Sequence, residues 1–315
     1  MLYFTGFADE VSGDIDVQIK ATQELDWNFI EARNIEGENL TDISDKKFEE
    51  VYRKLTESGV NISCFGSKVA NWGKSPYKEE DYEQSIEELK RAIPRMKKLG
   101  TKMIRGMSFF IPKNEYPNNP ELEKSIIKKL KVLVNMCEQE DIIYLHENCM
   151  NYFSQSYEHM ERLIKSMDSP YFKVVFDTGN PVFTDNRIGD PPYKKQNTWE
   201  VYQILKHKIH YIHIKDGIFI KDTENYFPEV DYTFPGEGNG QVKKVLKDLI
   251  ANGYKGGISI EPHMGQVYHT ESYNNNDKSL DEYKFNTYIE YGKKTMKMVE
   301  NIRKSIMNEE KNVNE

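Results

Sequence analysis

Short apolar or β-branched runs alternate with longer amphipathic, Glu/Lys-rich segments along the whole chain. The short runs, at 3–7, 29–32, 61–65, 102–106, 142–146, 173–177, 210–214 and 257–261, have the length and composition of strands. Each is followed by a helical pattern, at 14–26, 45–58, 79–99, 120–140, 157–167, 197–207, 241–252 and 279 to about 307. Ser44, Asn119 and Asn239 stand where N-caps belong, because a short polar side chain can accept from the open amides of a first turn. Gly59, Gly100 and Gly253 stand where helices stop.

Eight strand–helix units with no linker between them predict a single-domain α/β fold, a (β/α)8 TIM barrel, over residues 1–307. A long C-terminal helix ends that domain, and the polar stretch 308–315 is expected to fray. An open, doubly wound sheet also alternates in this way. It usually carries a glycine-rich phosphate loop after its first strand, whereas residues 6–13 here are acidic and lack GxGxxG. Two connections, 178–196 and 216–240, exceed the usual βα loop and carry aromatic, proline and glycine residues. Loops at that end of a barrel build sites or lids; packing between subunits, in a homo-oligomer, is the other use.

Composition narrows the setting. The formal charge of −8 disfavours nucleic acid and anionic membranes as partners. No apolar run approaches the ~20 residues that cross a bilayer, and the first residues lack the basic leader of a secretory signal. Three cysteines without paired spacing argue against a disulfide framework, so a cytoplasmic location is expected.

Four late strands each end in a residue that can hold a metal: Glu147, Asp177, His213 and Glu261. Side chains alternate along a strand, so parity stacks Glu147 over Leu145, Asp177 over Val175, His213 over Tyr211 and Glu261 over Ser259, all pointing inward. Three carboxylates in a partly dry mouth repel one another unless a cation joins them. An oxygen-rich set with one imidazole suits a divalent metal, Mn²⁺ first, with Mg²⁺, Co²⁺ or Zn²⁺ as alternatives. Any one of these acids alone reads as structural; the argument rests on four together.

The words Gly6-Phe-Ala-Asp-Glu10, His146-Glu-Asn148, Phe176-Asp-Thr-Gly-Asn180, His213-Ile-Lys-Asp216, Pro235-Gly-Glu-Gly-Asn-Gly240 and Ser259-Ile-Glu-Pro-His263 span nearly the whole chain. Together they resemble the xylose isomerase-like barrels, the sugar phosphate isomerase and epimerase group that also includes endonuclease IV. The resemblance implies that Glu147, Asp177, His213 and Glu261 bind the metal and that Glu147 and Glu261 are the acid–base pair. Many members carry a histidine three residues after the aspartate, where this chain has Asn180, expected here as a substrate contact. The DNA-cleaving members use several histidines over three metals; here only His213 of 7 histidines falls in the set.

Lys215 and Arg105 share the inward parity and so does Arg33, which places all three near a carbohydrate substrate or in ion pairs with inward acids such as Glu31. Lys68 and Trp72 follow the third strand, as substrate contacts or loop packing. His146 and His263 adjoin the ligands, as supports or as surface histidines. The implied reaction is proton transfer beside a carbonyl: a metal holds two adjacent oxygens of a keto-sugar or polyol, and one glutamate removes a proton that the other returns through an enediolate. The alternatives are a keto-polyol dehydratase of the inosose dehydratase type and a non-catalytic barrel.

Overall fold

The computed structural model describes residues 2–224, 226–265 and 278–313. Eight parallel strands form the predicted barrel: β1 (Tyr3–Gly6), β2 (Phe29–Ala32), β3 (Asn61–Phe65), β4 (Met103–Gly106), β5 (Ile143–Glu147), β6 (Phe172–Asp177), β7 (Ile209–Ile214) and β8 (Gly257–Ile260). Sequential strands pair from β2 to β8, and β8 pairs with β1. A parallel bridge between Phe7 and Glu31 brings β1 against β2 and closes the ring.

The outer layer is α1 (Ile15–Glu24), α2 (Asp45–Ser58), α3 (Glu79–Leu99), α4 (Pro120–Glu138), α5 (Tyr157–Ser166), α6 (Thr198–Leu205), α7 (Val242–Ala251) and α8 (Lys278–Val313). Local chemistry sets their ends as expected at Ser44, whose hydroxyl accepts from Lys47 N, and at Asn119, which accepts from Leu122 N. Gly59 and Gly100 stop α2 and α3 at φ 72° and 71°, a region that costs other residues a Cβ clash. Asn239 does not cap α7. The N-cap of that helix is Gln241, in the left-handed region and without a side-chain cap hydrogen bond. Asn239 sits instead in a glycine-rich turn, its amide donating to Gly217 O.

Helix α8 continues to Val313, past the point where the polar tail was expected to fray. Its close seat against the first unit depends on Gly292, where a Cβ would lie 2.7 Å from Leu25 Cδ1. Trp27 Nε1 donates to Met296 Sδ at 3.2 Å across the same contact. Among the described residues no helix is long and apolar enough to cross a membrane.

Inside the barrel, Cys64, Leu145, Val175 and Tyr211 form a closed apolar layer, as the parity of β5, β6 and β7 requires. The long 216–240 connection contains a feature that the hydrophobic pattern did not reveal. Asp216–Lys221 and Glu229–Thr233 pair as an antiparallel hairpin, with Gly217 opposite Tyr232. This arm rises from the end of β7 and leans over the mouth. Tyr226, in its connecting turn, donates to Met150 O at 2.8 Å and accepts from Ile111 N at 3.0 Å.

Candidate active site

Glu147, Asp177, His213 and Glu261 meet at the C-terminal mouth, all buried. One donor atom from each lies within 4.8 Å of the other three. His213 Nδ1 faces the carboxylates, 3.3 Å from Glu147, 3.9 Å from Asp177 and 3.8 Å from Glu261. Its Nε2 faces away, 3.1 Å from Glu31 Oε1, and Ser259 Oγ donates to the same Glu31 carboxylate. That contact favours the tautomer with the proton on Nε2 and the Nδ1 lone pair turned to the centre.

Asp177 is presented by its own turn. Its Oδ1 accepts from Gly179 N at 2.8 Å and Asn180 N at 2.7 Å, which leaves Oδ2 for the centre. Gly179 is required there, because a Cβ would stand 2.7 Å from Lys215 Cγ. Asn148 locks β5 to β6 by donating to Asp177 O and accepting from Asp177 N. Glu147 Oε2 and Asp177 Oδ2 are buried and have no hydrogen bond among the described residues. Each meets an ion pair instead, Arg105 at 3.2 Å from Glu147 Oε2 and Lys215 at 3.0 Å from Asp177 Oδ2, and three convergent carboxylates with one imidazole are a donor set that suits a divalent ion. The residues therefore fit a divalent metal, held by this quartet.

The centre is ringed by three cations that share the inward parity, each in an ion pair with a buried acid. Lys215 Nζ is 3.0 Å from both Asp177 Oδ2 and Glu261 Oε2. Arg33 reaches Asp9 at 2.9 Å and Glu261 at 3.0 Å, and Arg105 lies 3.2 Å from Glu147. Both guanidiniums pack on the Phe7 ring, at 4.3 and 5.1 Å, and the edge contact of Phe7 with His213 completes the floor. Asn180 Nδ2 approaches Glu147 Oε1 at 3.4 Å. Lys68 is exposed and stands on the cavity wall, away from these pairs. Trp72 packs edge-on against Phe227 of the arm, ring centres 4.9 Å apart.

These ion pairs set the titration of the centre. Burial alone would raise Glu147, but Arg105 and His213 outweigh it and bring the carboxyl down to about 2. Burial raises Asp177 to about 7 in spite of Lys215. For His213 burial would lower the value, yet Glu31 and Glu147 carry it up to about 10.

Seven of the nine expected site residues line one cavity of about 770 Å³; Asp177 and His213 lie beneath its floor. Sequence reading did not single out Glu31, Phe7, Asp9 or Tyr232 as site residues. His146 and His263 are both buried, so neither is a surface histidine. His146 carries no hydrogen bond among the described residues, and burial depresses it to about 3. His263 is tied to Glu10, Nδ1 to Oε1 at 2.9 Å.

A closed (β/α)8 barrel with a buried carboxylate–imidazole centre at its C-terminal mouth has a cluster that could hold a metal ion where such barrels keep their active sites. This chain belongs to the xylose isomerase-like TIM barrel family, whose profile matches residues 19–285. Among solved structures it resembles a D-tagatose 3-epimerase-like protein at 17% identity and TM-score 0.69, over 96% of this chain and 99% of the other. A xylose isomerase-like protein from Mycobacterium smegmatis, in complex with magnesium, aligns at 16% identity and TM-score 0.62, over 92% and 97%. The probable 3-DHS dehydratase AsbF from Bacillus anthracis aligns at 14% identity and TM-score 0.60, over 91% and 98%. At these identities the likeness shows the shared fold. Comparison with curated proteins by sequence returned no match.

Proposed function

We propose that this chain is a divalent-metal-dependent isomerase or epimerase of a small keto-sugar or keto-polyol, working by proton transfer beside the carbonyl. The observation that carries the reading is the placement of Glu147 and Glu261. Both belong to the buried quartet, and both also reach the cavity surface, where a substrate carbon would lie. Their surroundings differ. Glu147 is backed by Arg105, and Glu261 by Arg33 and Lys215. Two carboxylates in unlike fields are suited to unlike roles, one taking a proton and the other returning it.

A bound metal would supply Lewis acidity to the carbonyl oxygen, with Mn²⁺ our first choice for this donor set and Mg²⁺, Co²⁺ or Zn²⁺ the alternatives. The chain's own residues do the rest. Buried Lys215 keeps a positive charge beside the oxygen on which charge develops, and the aromatic arm lines the cavity through Phe227 and Tyr232. The epimerase-like neighbour supports this reading, and the protonated Lys215 supports it too. The dehydratase neighbour makes elimination of a β-hydroxyl the second reading, since it begins from the same deprotonation. The free cysteines fit our placement in the cytoplasm.

Incubating the metal-loaded protein with keto-sugars in D₂O tests the proposal. Solvent deuterium should enter the carbon beside the carbonyl. Glu147→Gln and Glu261→Gln should each lower that rate by about a hundredfold or more. Full turnover in either variant rejects the assignment, and a product absorbing as an enone selects the dehydratase.

A further inference from the structure

Tyr232 is a large polar side chain in this cavity whose hydroxyl, sealed from solvent, has no hydrogen-bond partner among the described residues. A buried phenol ordinarily finds one, because an unpaired hydroxyl costs about 1–3 kcal/mol.

The ring is nonetheless held firmly. It stands edge-on to His263, centres 5.0 Å apart and planes at 87°, and edge-on to Phe183 at 6.3 Å and 80°. The hairpin register places it opposite Gly217, two residues beyond Lys215. That approach depends on the glycine, since a Cβ at Gly217 would lie 2.9 Å from Asp231 O and 3.5 Å from Tyr232 Cα. The phenol sits in the field of Lys215, Glu261 and Asp177. Packing therefore fixes an unpaired donor beside the charged end of the cavity. A side chain kept only for its bulk would be better served by phenylalanine.

We infer that Tyr232 is a substrate-binding residue whose hydroxyl donates a hydrogen bond to the carbonyl-derived oxygen of a keto-sugar, strengthening as that oxygen becomes anionic. This deepens the enolisation reading above and rests on it. No proton changes hands in the step: the phenol keeps its hydrogen and shares it, while Lys215 supplies the charge. A donor aimed at developing charge acts more on turnover than on ground-state binding.

The test uses Tyr232→Phe in the full chain, loaded with Mn²⁺ or Mg²⁺. Removing an unpaired hydroxyl should leave Tm unchanged or higher. Deuterium uptake into a keto-sugar should fall about a hundredfold in kcat with KM within a fewfold. A lowered Tm, or activity within twofold of the parent, overturns the inference and leaves the enolisation reading standing. If the parent protein exchanges no keto-sugar, that reading fails, and a second measurement then decides for Tyr232. With 3,5-difluorotyrosine at position 232, the ¹⁹F resonance should shift when fructose, tagatose or a keto-inositol is added. An unmoved resonance across those probes sinks the proposal; a shift sustains it as a polyol contact.

Discussion

Glu31 reaches across the barrel to His213 and so decides what the imidazole offers the centre. Its Oε1 stands 3.1 Å from Nε2 although 182 positions separate the two residues in the chain. Glu31→Gln should keep the fold and weaken metal binding by about 10–100-fold, because a neutral amide fixes the tautomer poorly. Titration against a chromophoric chelator measures this, and unchanged affinity would show that His213 is oriented by something else. The convergence of Glu147, Asp177, His213 and Glu261 was legible in the sequence, because alternation along β5 to β8 fixes which neighbour points inward. The same rule showed Glu31 pointing inward. Which residue it meets depends on barrel diameter and stagger, and these are not written in one strand. For the same reason the ion pairs of Arg33 and Arg105 could be anticipated only as a choice among inward acids.

At the scale of elements, the eight strands and eight helices were readable because each has its own period, and three of the helices stop at a glycine. The hairpin arm was not, although Ile218 and Ile220 alternate on one side of its turn and Val230 and Tyr232 on the other. Its short polar and aromatic turn resembled a lid loop. What fixes the arm's base is Asp216, whose carboxylate accepts from the amides of Gly217, Gly236, Gly238 and Gly240 at 2.7–3.2 Å. The glycines are spaced to bring their amides to one buried charge; at Gly238 a Cβ would lie 2.4 Å from Asp216 Oδ1. Asp216→Ala should therefore cost about 3 kcal/mol of stability in urea unfolding, since it strands buried donors of a charged acceptor. Asp216→Asn should cost less, because it keeps one acceptor oxygen. Equal, small losses in both would mean that the turn holds its shape without the carboxylate.

For the whole molecule, β5 to β8 converge on one centre, so a metal held there would couple its binding to folding. Ligand at a hundred times its dissociation constant stabilises by about 2.7 kcal/mol, which should appear as a rise of several degrees in Tm when metal replaces chelator. The sign of the pH dependence follows from His213. Its folded-state value, about 10, lies above its ordinary one. The protonated imidazole thus stabilises the metal-free fold fully below about pH 6.5, and that stabilisation is lost as pH rises towards 10. A metal needs the unprotonated Nδ1 and must displace this proton, so its binding strengthens with pH over the same window. Asp177, raised to about 7, adds a second competing proton at the acid end. The Tm difference between Mn²⁺-loaded and chelator-treated protein should accordingly widen from about pH 6 to about pH 8.5, with proton release on metal addition in weak buffer. A difference that stays constant across that range would mean that neither the His213 nor the Asp177 proton competes with the ion, and the proposed quartet would fall.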